Sequence, residues 1–132
     1  MATDIVEAVF VAAAPAEVFE YFVKPELFET WMGERAMLDA TIGGVFAVDI
    51  DGTAVRGRFV EVDPPRRLVV TWGFAGSTEL PPGASTLEVT FVADGDGTLV
   101  RVVHRMLPAA QSDPHARGWR RFLGHLASRA RS

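Results

Sequence analysis

No cysteine occurs in this 132-residue chain, which excludes thiol nucleophiles, cysteine-ligated zinc and a disulfide framework. Tyrosine is present once, against nine phenylalanines and three tryptophans. Long apolar runs are also missing: none approaches the roughly 20 residues of a membrane-spanning helix. No signal-peptide core follows Met1, so the expected location is the cytoplasm, without a membrane partner. Thirteen basic and 17 acidic side chains leave a formal net charge of −4, which argues against general affinity for nucleic acid. The chain contains no Ser-His-Asp order, GxSxG elbow, phosphate-binding loop or dinucleotide fingerprint. No cofactor is therefore expected. What the chain has in surplus is apolar side chains, at 48% of residues. Its length fits one domain spanning 1–132, since domains usually run to roughly 100–200 residues. A domain of this size buries about two-thirds of its unfolded surface and needs no disulfide or metal for stability.

Local patterns set the order of elements. Asp4 to Val11 reads as a first strand, and Ala13-Ala14-Pro15 interrupts it. Pro15 suits the first turn of a helix, where its missing N–H has no partner to lose. Val18, Phe19, Phe22 and Val23 then recur at helical spacing, and Pro25 opens a second short helix through Leu27, Phe28, Trp31 and Met32. Alternating segments follow: Arg35 to Asp39, Phe46-Val48-Ile50, Ala54 to Val62, Arg66 to Phe74, Leu87-Val89-Phe91, and Val100-Val102-His104-Met106. Asp51-Gly52 is a strong two-residue hairpin signal. Pro108 stops the last strand, and Ser112 or Asp113 is the expected cap of a long terminal helix with Pro114 in its first turn. Trp119, Phe122, Leu123, Leu126 and Ala130 form one stripe of that helix, with Arg117, Arg120, Arg121 and Arg131 opposite. Segregated helices and strands make this an α+β chain.

Six or seven strands in consecutive hairpins present one apolar face that must be covered. A single helix roughly 10–12 Å across is too narrow for it. The sheet must curl around the helix, leaving a concave apolar gap of the kind that takes small molecules.

The segments "PAEVFEYFVKPELFETWMG", "GGVFAVDIDGTAVRGRFVEVDPPRRLVVTWGF", "GDGTLVRVVHRMLP" and "HARGWRRFLGHL" resemble the SRPBCC superfamily over nearly the whole chain. The nearest subgroup is the one named for homology to activators of the heat-shock-protein-90 ATPase. The resemblance implies a START-like helix-grip fold: a curved antiparallel sheet of six to seven strands wrapped around a long C-terminal helix. Two short helices would lie between the first and second strands, and a cavity inside. The superfamily includes lipid carriers, polyketide cyclases and stress-linked proteins, so three functions are implied. These are binding of a hydrophobic small molecule, a cyclase- or dehydratase-like reaction, and a co-chaperone interaction. A monomer or a homodimer fits each of them.

Six residues are the expected cavity lining: Trp31, Phe46, Trp72, Phe91, His104 and Trp119. The three tryptophans come from the short helix, the sheet and the long helix, and either form an aromatic lining or simply pack the core. His104 is in phase with Val100, Val102 and Met106, which makes it a candidate acid or base. The alternative is a buried histidine hydrogen-bonded to a neighbouring strand. Glu61 is a second candidate. It faces inward if Arg56 and Arg58 face out, or is switched by a bulge near Gly57; a solvated, ion-paired Glu61 is the competing reading. His115 and His125 are ten residues apart, on different sides of a helix, so no metal site is expected. Gly118 costs roughly 0.5–1 kcal/mol relative to alanine inside a helix, which points to close approach of sheet backbone or ligand there. Residues 1–51 hold ten of the 17 acids but only Lys24 and Arg35 as bases, while the terminal helix is rich in arginine. Without interleaved aromatics that basic face is a solvated helix surface, not a nucleic-acid site.

Overall fold

Proline sets the entry of both short helices in the computed structural model, which describes residues 2–131. Strand β1 (Ala2–Val11) leads to helix α1 (Pro15–Val23) and helix α2 (Pro25–Phe28). Six strands follow: β2 (Arg35–Leu38), β3 (Val45–Ile50), β4 (Thr53–Asp63), β5 (Arg67–Phe74), β6 (Ser85–Asp94) and β7 (Gly97–Pro108). Helix α3 (Ala109–Arg129) closes the chain. All neighbours pair antiparallel in the order β1-β7-β6-β5-β4-β3-β2. The result is the α+β helix-grip fold, with α3 held against the inner face through Ala116, Trp119, Leu123 and Leu126, all buried.

Two bulges give the sheet its bends, and each overturns a simple alternation. In β4 the register shifts between Phe59 and Glu61, so Val60 is the inserted residue and the faces switch there, not at Gly57. Phe59 points into the core, while Glu61 lies on the outer face, 45% exposed, with its carboxylate 3.1 Å from Arg67 Nε. In β7 the left-handed backbone at Met106 (φ 63°) opposes two residues to one on β1. The Met106 N–H donates to Asp4 Oδ1 at 3.0 Å. Met106 is therefore turned outward and Leu107 takes the buried position expected for it.

The terminal helix also starts earlier than its capping residues suggest. Pro108 (φ −55°) stands at the cap position, and α3 begins at Ala109. The Ser112 hydroxyl donates back to Ala109 O at 3.1 Å and caps nothing. Pro114 thus lies inside the helix, where its missing N–H leaves one carbonyl of the preceding turn without its helical donor.

At Gly57 β4 crosses close to β5. A Cβ on residue 57 would lie 1.8 Å from the Thr71 carbonyl oxygen, a distance no packing adjustment of side chains relieves. Gly57→Ala is expected to lower stability by more than about 2 kcal/mol, read as a fall in the urea midpoint. An unchanged midpoint would contradict this account of the crossing.

The outer face carries an ion-pair ladder that runs across five strands. Arg105 on β7 pairs with Asp4 on β1 at 3.2 Å and with Glu88 on β6. Glu88 also accepts from Arg67 on β5 at 2.6 Å, and Arg67 reaches Glu61 on β4. The Arg105 guanidinium, aided by Arg67, holds the Glu88 carboxyl below its ordinary range. Cross-strand opposite charges of this kind stabilise neighbouring strands in register.

Candidate functional site

The gap between sheet and helix is filled at one end by a train of aromatic rings. Phe91 on β6 meets Phe22 at 5.1 Å between ring centres, Phe22 meets Trp31 at 4.8 Å, and Trp31 meets Phe28 at 5.2 Å. Phe28 then meets Phe46 at 6.0 Å, Phe46 meets Trp72 at 6.0 Å, and Trp72 meets Trp119 at 5.6 Å. Edge-to-face and tilted contacts at these separations are the favourable arrangements for aromatic pairs. Because α1, α2 and the turn after α2 put Phe22, Phe28 and Trp31 inside, they act as a plug for the space the single long helix leaves. The Trp31 indole N–H donates to Tyr21 O at 2.8 Å, which satisfies its polar atom within the plug.

At the other end the core becomes polar in a strictly ordered way. The Trp119 Nε1–H donates to His104 Nδ1 at 3.1 Å. The Ser85 hydroxyl donates to Trp72 O at 2.7 Å, so its oxygen accepts from His104 Nε2–H at 3.0 Å. The Trp72 Nε1–H donates to His115 Nε2 at 3.3 Å, and His115 Nδ1–H donates to Gln111 O at 2.8 Å. Each donor has one acceptor, which fixes both tautomers. This chain of hydrogen bonds ties α3 to β5, β6 and β7. Burial pushes the His104 pKa down to about 3, with the neighbouring His115 adding to the effect. Burial also lowers His115, partly offset by its bond to Gln111 O. Both imidazoles are neutral at pH 7.

Beyond this polar chain lies a cleft of about 370 Å³, open to solvent on one side. Met32, Ile50, Val55, Trp72, Phe74 and Pro114 contribute to its walls. Gly118, Trp119 and Phe122 form its α3 side, and Asp51, Thr53, Gln111 and His115 supply the polar atoms. The β3–β4 hairpin and α3 form the two lips, bridged by Asp51 Oδ2 and Arg121 Nη1 at 3.5 Å. Both partners of that bridge are more than half exposed, a setting in which an ion pair contributes little and opens readily. The inner wall has no free polar atom on its aromatic rings, since the indole N–H of Trp72, that of Trp119 and both nitrogens of His115 are committed.

This architecture is shared. A family model of Activator of Hsp90 ATPase homolog 1-like proteins matches residues 12–131. The chain belongs to that family. An AHSA1-like protein from Rhizobium etli has 37% sequence identity and a TM-score of 0.76, with 96% of this chain and 81% of that one covered. A protein from Chromobacterium violaceum superposes with a TM-score of 0.87 at 23% identity, covering 98% and 97% of the two chains. An HSP90 activator from Plasmodium falciparum has the same fold at a TM-score of 0.76 and 23% identity, covering 96% and 93%. No curated protein matches the chain.

Within this family member the six expected lining residues are distributed unevenly. Trp72 and Trp119 wall the cleft. Trp31, Phe46 and Phe91 are buried in the aromatic train on the far side of them. His104 is fully buried behind Trp119, with both nitrogens bonded. Glu61 is on the outer face, remote from His104 because the Val60 bulge turned it there. His115, considered at the sequence level only as a metal ligand, is the histidine that reaches the cleft. Its position four residues before Trp119 and seven before Phe122 is the signal that places it on the same helical face.

Proposed function

We propose that the cleft between α3 and the β3–β4 hairpin binds a hydrophobic small molecule: a lipid, a polyketide or an aromatic metabolite. The observation that carries this reading is an open, mostly apolar space of about 370 Å³ walled by Trp72, Trp119, Phe74 and Phe122. Small-molecule sites commonly occupy roughly 300–1,000 Å³, with apolar walls and a few polar groups. Fixed tautomers at His104 and His115 support it further, because they hold two of the walls, Trp119 and Trp72, in place without ligand. The cyclase-like alternative with His104 as acid or base has less support. A fully buried imidazole with a pKa of about 3 neither holds a proton at neutral pH nor reaches the space a substrate would take.

Isothermal titration with flavone, dodecanoate and progesterone tests the proposal. Saturable one-to-one binding of at least one of them supports it, and heat-silent titrations of all three overturn it.

A co-chaperone reading is favoured by a different surface. Phe10, Leu99 and Val92 are exposed and opposite one another on β1, β7 and β6, an apolar stripe of the kind that protein partners cover. Stimulation of a heat-shock-protein-90 ATPase that is lost in Leu99→Asp would support this second role, and no stimulation would count against it.

A further inference from the structure

Gly118 stands in the middle of α3 and lines the cleft. A glycine there is a poor choice for a helix, which favours alanine. Crowding explains such a residue where backbone or a side chain presses on it, as Thr71 does on Gly57. Nothing presses on Gly118: apart from its adjacent residues and its own helix backbone, a Cβ there would meet no protein atom within 4 Å. Its backbone conformation is no reason either, since Gly118 is not among the glycines with a positive φ. The space beside Gly118 is the cleft itself, with Trp119 and Phe122 on the same helix and Trp72 and Phe74 across from it.

We propose that Gly118 is a specificity-determining residue: it leaves a bare stretch of helix backbone against which the flat face of a neutral, planar aromatic ligand lies. The aromatic walls at Trp72, Phe74, Trp119 and Phe122 suit the same shape, since stacked and edge-to-face contacts need flat partners. The inner wall offers no free ring N–H or imidazole nitrogen, so a ligand's polar groups belong at the mouth, near Thr53, Asp51 and Arg121. This inference rests on the cleft being a binding site and names the class of molecule it takes.

The same helix supplies its own control. Gly124 is exposed, outside the cleft, and a Cβ there also meets nothing within 4 Å. Both Gly118→Ala and Gly124→Ala are expected to raise Tm by about 2–4 °C, as removal of helical glycine should. Only Gly118→Ala is expected to weaken flavone binding, by about tenfold or more, the usual consequence of one intruding carbon in an apolar site. Gly118→Leu should abolish it. Isothermal titration of flavone and of dodecanoate into the wild type and the three variants reads these effects. If Gly118→Ala binds flavone as the wild type does, the role of Gly118 is refuted while the cleft remains a site. Binding of dodecanoate without flavone would overturn the planar class alone. Binding of neither to the wild type would remove the binding site itself.

Discussion

Lowering the pH from 7 to 4 is expected to remove about 3 kcal/mol of folding stability through His104 alone. In the unfolded chain this imidazole takes a proton near its ordinary pKa of 6.5, whereas in the folded protein burial holds it down to about 3. Its folded-state pKa is depressed, so the unfolded state binds the proton first. The contribution is fully present above pH 6.5 and is lost progressively as pH falls toward 3, at about 1.4 kcal/mol per unit. The structural cause is specific. His104 is fully buried and its Nδ1 accepts from the Trp119 indole, so a proton on that nitrogen would set donor against donor. His115, which lies 5.1 Å away between ring centres, is lowered by burial too and adds in the same direction. Urea titrations at pH 7, 6, 5 and 4 read the slope. His104→Gln should be less stable than the wild type at pH 7 but lose less on acidification, so the two curves converge. Parallel curves would show that His104 is not the group that titrates.

Trp119→Ala is expected to cost about 3–5 kcal/mol, the range for a buried aromatic truncated in a packed core. Trp119 is 3% exposed and does two things at once, since its ring touches Trp72 and its N–H satisfies His104. Trp119→Phe separates them. It keeps most of the ring and removes the donor, leaving His104 Nδ1 buried and unpaired, with an expected cost of about 1–3 kcal/mol. Because the same bond disfavours protonation of His104, Trp119→Phe should also flatten the acid slope measured above. A Trp119→Phe protein as stable as the wild type would mean that the bond contributes nothing and the ring only fills space.

How far these features can be read from the sequence depends on their range. The strands, the Asp51-Gly52 hairpin and the apolar stripe of α3 are local patterns, and they are found where periodicity puts them. The Val60 bulge is only partly local: Arg56 to Val62 has no clean phase, with Phe59 and Val60 both apolar, and only the fit of β4 to β5 decides where a residue is inserted. Met106 is similar, since its outward turn answers to Asp4, which reaches it from 102 positions earlier in the chain. Phe22 and Phe28 read correctly as the apolar face of two short helices, while Trp31, expected on the second, lies in the turn after α2; their filling of the interior follows from how those elements lean into the sheet. That packing displaces the open space toward Phe74, Gly118 and Phe122. His115 belongs to the legible stripe of α3, but its meaning comes from Trp72, a partner 43 residues away. The apolar surplus of the composition is thus divided between a packed aromatic train and the walls of one cleft.

The three indole N–H groups give the most direct test of that cleft as a binding site, because each has a different partner. Trp72 donates to His115, Trp119 to His104 and Trp31 to Tyr21 O. Proton–nitrogen correlation spectra recorded as flavone or dodecanoate is added should show the Trp72 and Trp119 indole resonances shifting together and saturably, with Trp31 stationary in the aromatic plug. Three stationary resonances, or a shift confined to Trp31, would contradict the account.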